Sequence, residues 1–416
     1  MSIFFIILEP LIYIGGIFAL WYKRDLSILY LPAIIFARSV IVSTLPASVW
    51  YGFMFCYIFT LIYQNPFFYR KNIFAVALLL LHVILIPKSS DLVYIRPALF
   101  AVIWTLLLIP LAMEIVGKYN RITLFKELVN SANIILVVFL VNVLFSTIYG
   151  YSPHEMYGIK SGILYGELVD TDFNILGVII FITLFAQTYR FNMWHLLLTL
   201  ASIAAIGLSM RRSVIAACVL AILIILIILI LRGRLQLVTS FLFGFTTITI
   251  IVVSFTDFSN VFKERFEQRN LAERELAGEA RFAEYAILYK DAFVHYDLNP
   301  WLGYELLNSR GKYGKGIFGN RSLHADITNI IHSVGILGLM LYLLMVCRSF
   351  IIALKNVKTL TDSLIIVFCL ALFIMFTITG RYTQTHYMLS LFLLLLLPLG
   401  GTSPTYSKHS KIQIAD

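Results

Sequence analysis

The residues best suited to chemistry stand in four short stretches. His324-Ala325-Asp326 lies directly ahead of a long apolar run. It offers an imidazole that titrates near neutral pH, with a carboxylate two positions on that can hold one ring nitrogen and raise the basicity of the other. Arg211 and Arg212 stand in Gly207-Leu208-Ser209-Met210-Arg211-Arg212-Ser213, where two apolar runs meet, and Arg281 stands in Gly278-Glu279-Ala280-Arg281-Phe282-Ala283-Glu284-Tyr285. Guanidinium groups grip phosphate oxygens in pairs. Between Arg310 and Arg321 come Lys312 and Lys315 and no acid, a patch that fits an anionic partner. A base beside an anion clamp is equipment for moving a group off a phosphorylated donor. The same residues also fit plainer roles. His324 and Asp326 can cap a helix and meet lipid headgroups, and Arg281 can pair with Glu284 at i,i+3 on a solvated helix.

The elements that must position these residues are membrane helices. Of 416 residues 60% are hydrophobic and 13% charged, about half the charged share of a soluble domain. Apolar windows of about 20 residues recur along the chain. Continuous apolar runs exclude a barrel, whose strands alternate, and open strands would leave backbone groups unpaired in lipid. The predicted fold class is therefore all-α: a polytopic membrane protein with about 12 to 13 spans and one large extracytoplasmic loop containing amphipathic helices. The spans fall near 3–21, 26–43, 49–63, 73–87, 92–116, 131–149, 173–188, 193–208, 213–231, 236–256, 327–347, 363–379 and 387–399. Arg38 falls inside the second run, so it either ends a helix or faces the bundle interior. The first run lacks a basic leader and reads as a span rather than a cleaved signal. Cys56, Cys218, Cys347 and Cys369 all lie in apolar runs, where packing rather than a disulfide or a zinc cluster is expected.

The net charge of +10 does not point to nucleic acid, because most basic residues occupy short loops. Lys23 with Arg24, Arg70 with Lys71, Lys118 with Arg121 and Lys126, Arg190, Arg232 with Arg234, and Arg348 with Lys355 and Lys358 fall on one side, which the positive-inside rule makes cytoplasmic. The chain then divides into helices over 1–256, an extracytoplasmic loop over 257–325, C-terminal helices over 326–400 and a cytoplasmic tail over 401–416. Within the loop, 260–291 has helical spacing of apolar residues, whereas Pro300 and Gly303, Gly311, Gly314, Gly316 and Gly319 predict an irregular segment. Arg211, Arg212, Arg281 and His324 all fall on the outer side, against the charge bias of the rest.

This ordered set resembles the bacterial O-antigen polymerase and O-antigen ligase superfamily of polytopic membrane glycosyltransferases. His324, Ala325 and Asp326 with Gly335 and Gly338 resemble its His-Asn-Asp, apolar stretch and Gly-x-x-Gly; Arg281 with Asn299-Pro300-Trp301-Leu302-Gly303 resembles its Arg, helix and Pro-x-x-Gly. Ser209 to Ser213 resembles its Ser-x-x-Arg element, pointing to Arg212, and Gly166 with Asn174 is similar to a Gly and Asn pair before a span. Ala325 departs from the usual Asn, and Ser333 stands where an acid is common, with His332 beside it.

The resemblance implies transfer of glycan from an undecaprenyl-diphosphate-linked oligosaccharide to an acceptor sugar, on the outer face of the cytoplasmic membrane. It makes His324, Arg212 and Arg281 catalytic, with Arg211, Arg321, Asp326 and Asn174 binding substrate. It implies no metal or other cofactor, and as partners the bilayer, a chain-length regulator and a flippase of the same pathway, but no nucleic acid. The degenerate motif favours a polymerase of O-antigen, capsule or exopolysaccharide over a ligase that transfers glycan to a lipid core. A transporter or flippase is the alternative from another class, with Arg38 and Arg96 as its intramembrane charges.

Overall fold

A computed structural model of the chain describes residues 3–41, 43–148, 173–209, 211–255, 260, 263, 280–317, 319, 322–323 and 325–401. Its α-helices are α1 (Ile3–Lys23), α2 (Leu31–Ser39), α3 (Ala47–Gln64), α4 (Ile73–Leu85), α5 (Leu92–Lys118), α6 (Arg121–Ile148), α7 (Asn174–Gln187), α8 (Met193–Ser209), α9 (Arg212–Leu231), α10 (Leu235–Phe255), α11 (Ala280–Phe293), α12 (Asp326–Lys355), α13 (Leu360–Thr379) and α14 (Thr385–Leu395). Among the described residues the β pairing is limited to one isolated bridge, Asn299 to Gly303. Among the described residues, five helical stretches are long and apolar enough to cross a membrane: Ile6–Ser39, Leu92–Lys118, Arg121–Ser146, Arg212–Leu231 and Asp326–Lys355. Shorter apolar helices, such as Ile73–Lys88 and Thr385–Leu395, accompany them. Leu223, Ile227 and Ile230 of α9 are about half exposed, an outward apolar face that needs a lipid or protein cover. The architecture fits a helical membrane protein.

The helices form two compact units interleaved in sequence. The first comprises Met1–Tyr57, Ile122–Glu273 and Thr359–Phe368. Here the second expected run does not form one long helix. The chain turns through a 3₁₀ segment, Arg24–Tyr30, and α2 ends just after Arg38, which lies over the Trp50 ring. The return is fixed by a buried acid: Glu9 of α1 accepts from the Thr44 amide at 2.8 Å and from the Thr44 hydroxyl at 2.6 Å. Glu127, inside α6, accepts from Lys23 at 2.9 Å and from the Tyr30 hydroxyl. That pairing lets α6 begin at Arg121 and carry a carboxylate within an apolar stretch.

α7 and α9 are the closest pair of this unit. A Cβ on Gly177 would lie 2.5 Å from the Ala217 Cβ, so the two backbones approach at small residues, as membrane helices do where packing rather than hydrophobicity drives association. Because Gly177 and Ala217 both sit near the starts of their helices, α7 and α9 run parallel. At their far ends Arg232 and Arg234 donate to the Thr188 carbonyl at 3.2 and 2.8 Å, covering the α7 C-terminus with positive charge.

The second unit comprises Ile58–Arg121, Arg274–Lys358 and Cys369–Asp416. α12 packs along α4, and α5 along α4 and α14. Asn72, which caps α4, donates to the Met345 carbonyl at 2.9 Å, and Arg348 Nε donates to the Lys71 carbonyl at 2.7 Å. Lys71 and Lys118 flank Glu114 at 3.1 and 3.7 Å. Three of the basic loops that the sequence puts on one side therefore meet at one end of this unit. At the other end lie Ser90, Glu305 and Asp326.

The close approach of α7 and α9 gives a test. Gly177→Leu should overpack the pair and cost about 1–3 kcal/mol, seen as a lower melting temperature of purified protein. Gly207→Ala, where nothing lies within 4 Å of the added Cβ, should leave it unchanged.

Candidate functional site

The polar end of the second unit is organised around a break in a membrane-length helix. α12 is not continuous: Gly335 adopts φ 71° and ψ −172°, a region open in practice only to glycine. At roughly 1.5 Å per residue the break lies about 13 Å into the helix. A break at this buried position frees amide and carbonyl groups that need other partners. They are met by the loop Asn299–Tyr304. Ile336 N donates to the Pro300 carbonyl at 2.8 Å, Leu337 N to the Trp301 carbonyl at 3.3 Å, and Tyr304 N to the His332 carbonyl at 2.8 Å. The loop is itself tightly turned, with Asn299 Oδ1 accepting from the Trp301 and Leu302 amides at 3.0 and 3.1 Å. Contact is main chain to main chain, so both faces need glycine: a Cβ on Gly335 would lie 2.1 Å from the Trp301 carbonyl oxygen, and one on Gly303 2.6 Å from the His332 carbonyl oxygen.

A buried carboxylate anchors the same loop. Glu305 Oε1 accepts from the Ser90 amide at 2.9 Å, the Ser90 hydroxyl at 2.7 Å and Asn308 at 2.9 Å, and Oε2 pairs with Lys312. Burial alone would raise the Glu305 pKa, but Lys312, both Ser90 donors and Asn308 hold it down at about 2. The expected all-basic patch is thus partly spent inside the protein: Lys312 belongs to Glu305, and Arg310 lies 4.4 Å over the Tyr94 ring. His332 is fully buried, with Nε2 3.4 Å from the Lys312 carbonyl and its ring beside Tyr304. It packs the loop against α12. Ser333 does likewise, its hydroxyl accepting from the Leu307 amide at 3.1 Å.

Asp326, the first residue of α12, is buried at 3% exposure. Its Oδ1 accepts from the Arg381 amide and, at 2.9 Å, from the Tyr382 amide, both in the loop between α13 and α14. Tyr342 lies within α12 with its ring 6.1 Å from that of Tyr382. α11 packs on this end through Leu288 and Ala292, with Leu298, Tyr313 and Leu323, and Asp291 accepts from the Gly314 amide at 2.6 Å. Burial first, then the charges of Asp326 and Glu284, push the Tyr285 hydroxyl of α11 above its ordinary pKa, so α11 reaches the neighbourhood of Asp326. The Arg281 backbone lies one helical turn before Tyr285.

In the first unit, Arg211 precedes α9 and Arg212 begins it, while Asn174 begins the parallel α7. Arg211 lies 5.7 Å over the Phe173 ring, so Arg211, Arg212 and Asn174 share the end of the unit opposite to Arg232 and Arg234. Asn174 is buried and Arg212 exposed. The two helix starts lie side by side without a side-chain capping hydrogen bond, and their dipoles add to the arginines in favouring an anion.

His324, Arg321 and Gly166 lie outside the described residues, as does the Arg281 side chain. The structure brings together Arg211, Arg212 and Asn174 in one unit, and in the other Asp326 with the Pro300–Gly303 and Gly335–Gly338 elements. Arg381 and Glu305 escaped the sequence reading. Arg381 stands alone between the expected spans 363–379 and 387–399, on the side poor in basic residues, and the reasoning that singled out Arg211 and Arg212 applies to it equally.

Gly335→Ala should force the clasp apart and cost about 3 kcal/mol, the upper end of backbone strain, lowering the melting temperature. Gly117→Ala, in α5 with nothing within 4 Å of its Cβ, should be neutral or stabilising by about 0.5–1 kcal/mol.

Comparison of the chain with protein-family models, with curated proteins and with solved structures finds no match, so the residues themselves carry the functional reading.

Proposed function

We propose that the chain is a membrane glycosyltransferase, a polymerase of O-antigen, capsule or exopolysaccharide, acting on the outer face of the bacterial cytoplasmic membrane. The reading has about 12 to 13 spans and a catalytic extracytoplasmic loop over 257–325. The observation that carries it is the interlock beside Asp326. The Pro300–Gly303 and Gly335–Gly338 pieces, on which the resemblance to the O-antigen polymerase and ligase superfamily rests, close on each other in one clasp. Charge segregation supports it as well. Within each unit the basic loops gather at one end, and Arg211 with Arg212, or Asp326 with Arg381, lie at the other. By the positive-inside rule the basic ends face the cytoplasm.

In this reading the acceptor hydroxyl gives its proton to His324 as its oxygen attacks the anomeric carbon. The bond from that carbon to the diphosphate breaks, and undecaprenyl diphosphate leaves. Arg212 and Arg281 stabilise the negative charge that develops on the leaving group, a contact that is strong in a partly dehydrated site. Arg211, Arg321 and Asn174 hold the rest of the donor, and Asp326 supports the site from the start of α12. No nucleotide enters, because the diphosphate linkage is itself the activated bond. A ligase would use the same donor with a lipid core as acceptor; a chain-length regulator and a flippase are the partners expected of a polymerase.

The broken helix favours a second reading, transport, since transporters build sites at discontinuous membrane helices. In such sites the free backbone lines a cavity. At Gly335 the Pro300 and Trp301 carbonyls fill the break, which favours a rigid scaffold.

The test is single replacement of Arg212, Arg281 and His324 by alanine in cells, with membrane levels matched and surface polysaccharide resolved on a gel. Each variant should lose long chains and accumulate single repeat units, a fall on the order of 10²-fold or more. Normal long chains in all three would refute the catalytic reading. Long glycans stranded on the carrier would indicate a ligase, and substrate retained on the cytoplasmic side a transporter.

A further inference from the structure

The turn between α3 and α4, at the basic end of the second unit, is rigid and carries more positive charge than it pairs. The chain reverses through the 3₁₀ segment Phe68–Arg70, closed by Phe68 N donating to the Asn65 carbonyl at 3.1 Å and Lys71 N to the Phe68 carbonyl at 3.0 Å. Phe68 and Asn72 are buried on either side, and Asn72 donates to the Met345 carbonyl of α12 at 2.9 Å. On this fixed turn the exposed Arg70 guanidinium lies 4.9 Å from the centre of the Phe67 ring and 5.7 Å from that of Tyr69. Arg348 of α12 joins it, with Nε donating to the Lys71 carbonyl at 2.7 Å and Nη2 to the Arg70 carbonyl at 3.4 Å. Those acceptors are neutral, so they satisfy N–H groups and leave the charge standing. Among the described residues no carboxylate pairs with Arg70 or Arg348, while Glu114 serves both Lys71 and Lys118 at 3.1 and 3.7 Å.

Two apolar helix faces run away from this turn. On α4, Ile73, Leu80 and Ile84 are exposed and stand seven and four residues apart, along one face. On α12, the exposed Leu344 and Ile351 flank Arg348 at i−4 and i+3. Exposed rings at Tyr63, Phe67 and Tyr69 border the charge, the amphipathic kind of side chain that sits at headgroup level. A soluble anion would use the charge alone, whereas an acidic lipid uses the charge and the apolar faces together.

We propose that the turn carrying Arg70, with Arg348 beside it, binds the headgroup phosphate of an acidic glycerophospholipid, whose acyl chains lie on the exposed faces of α4 and α12. Stacking on Phe67 and Tyr69 holds the Arg70 guanidinium flat and leaves its N–H edge to grip phosphate oxygens. The site belongs to one end of the second unit and is independent of the reaction proposed for the chain.

The test uses the full chain purified in detergent, titrated with phosphatidylglycerol and, separately, phosphatidylcholine, with bound lipid counted by native mass spectrometry. The wild type should prefer phosphatidylglycerol by about tenfold or more, as two arginines at a lipid headgroup imply. Arg70→Gln should weaken phosphatidylglycerol binding by about fivefold and change phosphatidylcholine binding by less than about twofold. Lys355→Gln removes an equal charge about 10 Å further along α12 and should stay within about twofold of wild type for both lipids. If Arg70→Gln does not fold, Arg70→Lys carries the test: it keeps the charge, loses the stacked fork, and should reduce the preference. Millimolar inorganic phosphate should leave the lipid bound. Equal wild-type affinity for the two lipids would overturn the proposal. So would a loss with Lys355→Gln as large as that with Arg70→Gln, which would mark a diffuse field rather than a site, or displacement of the lipid by inorganic phosphate, which would mark a site for a soluble anion.

Discussion

A main-chain amide or carbonyl buried without a partner costs free energy comparable to a lost hydrogen bond, and α12 breaks at Gly335, a buried position where that penalty applies. The solution at Gly335 is to bring another stretch of main chain to the break. Trp301 and Leu302 come so close to Gly335, and the His332–Val334 main chain so close to Gly303, that neither glycine can carry a Cβ. Much of the polar end of the second unit follows from this contact. Docking Asn299–Tyr304 sets Glu305 beside Ser90, draws Lys312 onto Glu305, and buries His332 between Tyr304 and the Lys312 carbonyl. The break also separates the first turns of α12, which carry Asp326, from the long apolar portion beyond.

Buried carboxylates do similar work throughout. Glu9 pins Ser43 and Thr44, Glu127 holds Lys23 and Tyr30, Glu305 gathers Ser90, Asn308 and Lys312, and Asp326 takes the amides of Arg381 and Tyr382. Each acid is satisfied by several donors, as a charge out of water requires. Glu9, Glu127 and Asp326 also tie a connecting segment to a helix, and Glu305 ties two connecting segments to each other. These acids act as staples for loops that have little apolar surface of their own, which explains how the irregular segment after α11 is held in place.

The helices were largely legible in the sequence, because apolar runs in lipid have few alternatives. The run expected at 213–231 is observed as Arg212–Leu231, and that at 92–116 as Leu92–Lys118. Where the reading missed, a distant partner had changed the local rule. The run 26–43 yields a 3₁₀ turn and a short helix because Glu9 captures Thr44. α6 starts before the expected boundary because Lys23 and Tyr30 satisfy Glu127. The two glycine elements were visible as motifs, but not that they would interlock, since no local pattern reports a main-chain contact between residues 301 and 335. Arg381 carries the same charge signal as Arg211 and Arg212, but no local pattern reports its tie to Asp326, 55 positions away.

The account depends above all on which side of the membrane the clasped end faces. A version of the chain with Cys56, Cys218, Cys347 and Cys369 replaced, and carrying either Tyr304→Cys beside the clasp or Lys355→Cys at the far end of α12, can be probed in spheroplasts with a membrane-impermeant maleimide. The account predicts labelling at position 304 in intact spheroplasts and at position 355 only after permeabilisation. Labelling at 355 from outside, with 304 protected until the membrane is opened, would contradict it.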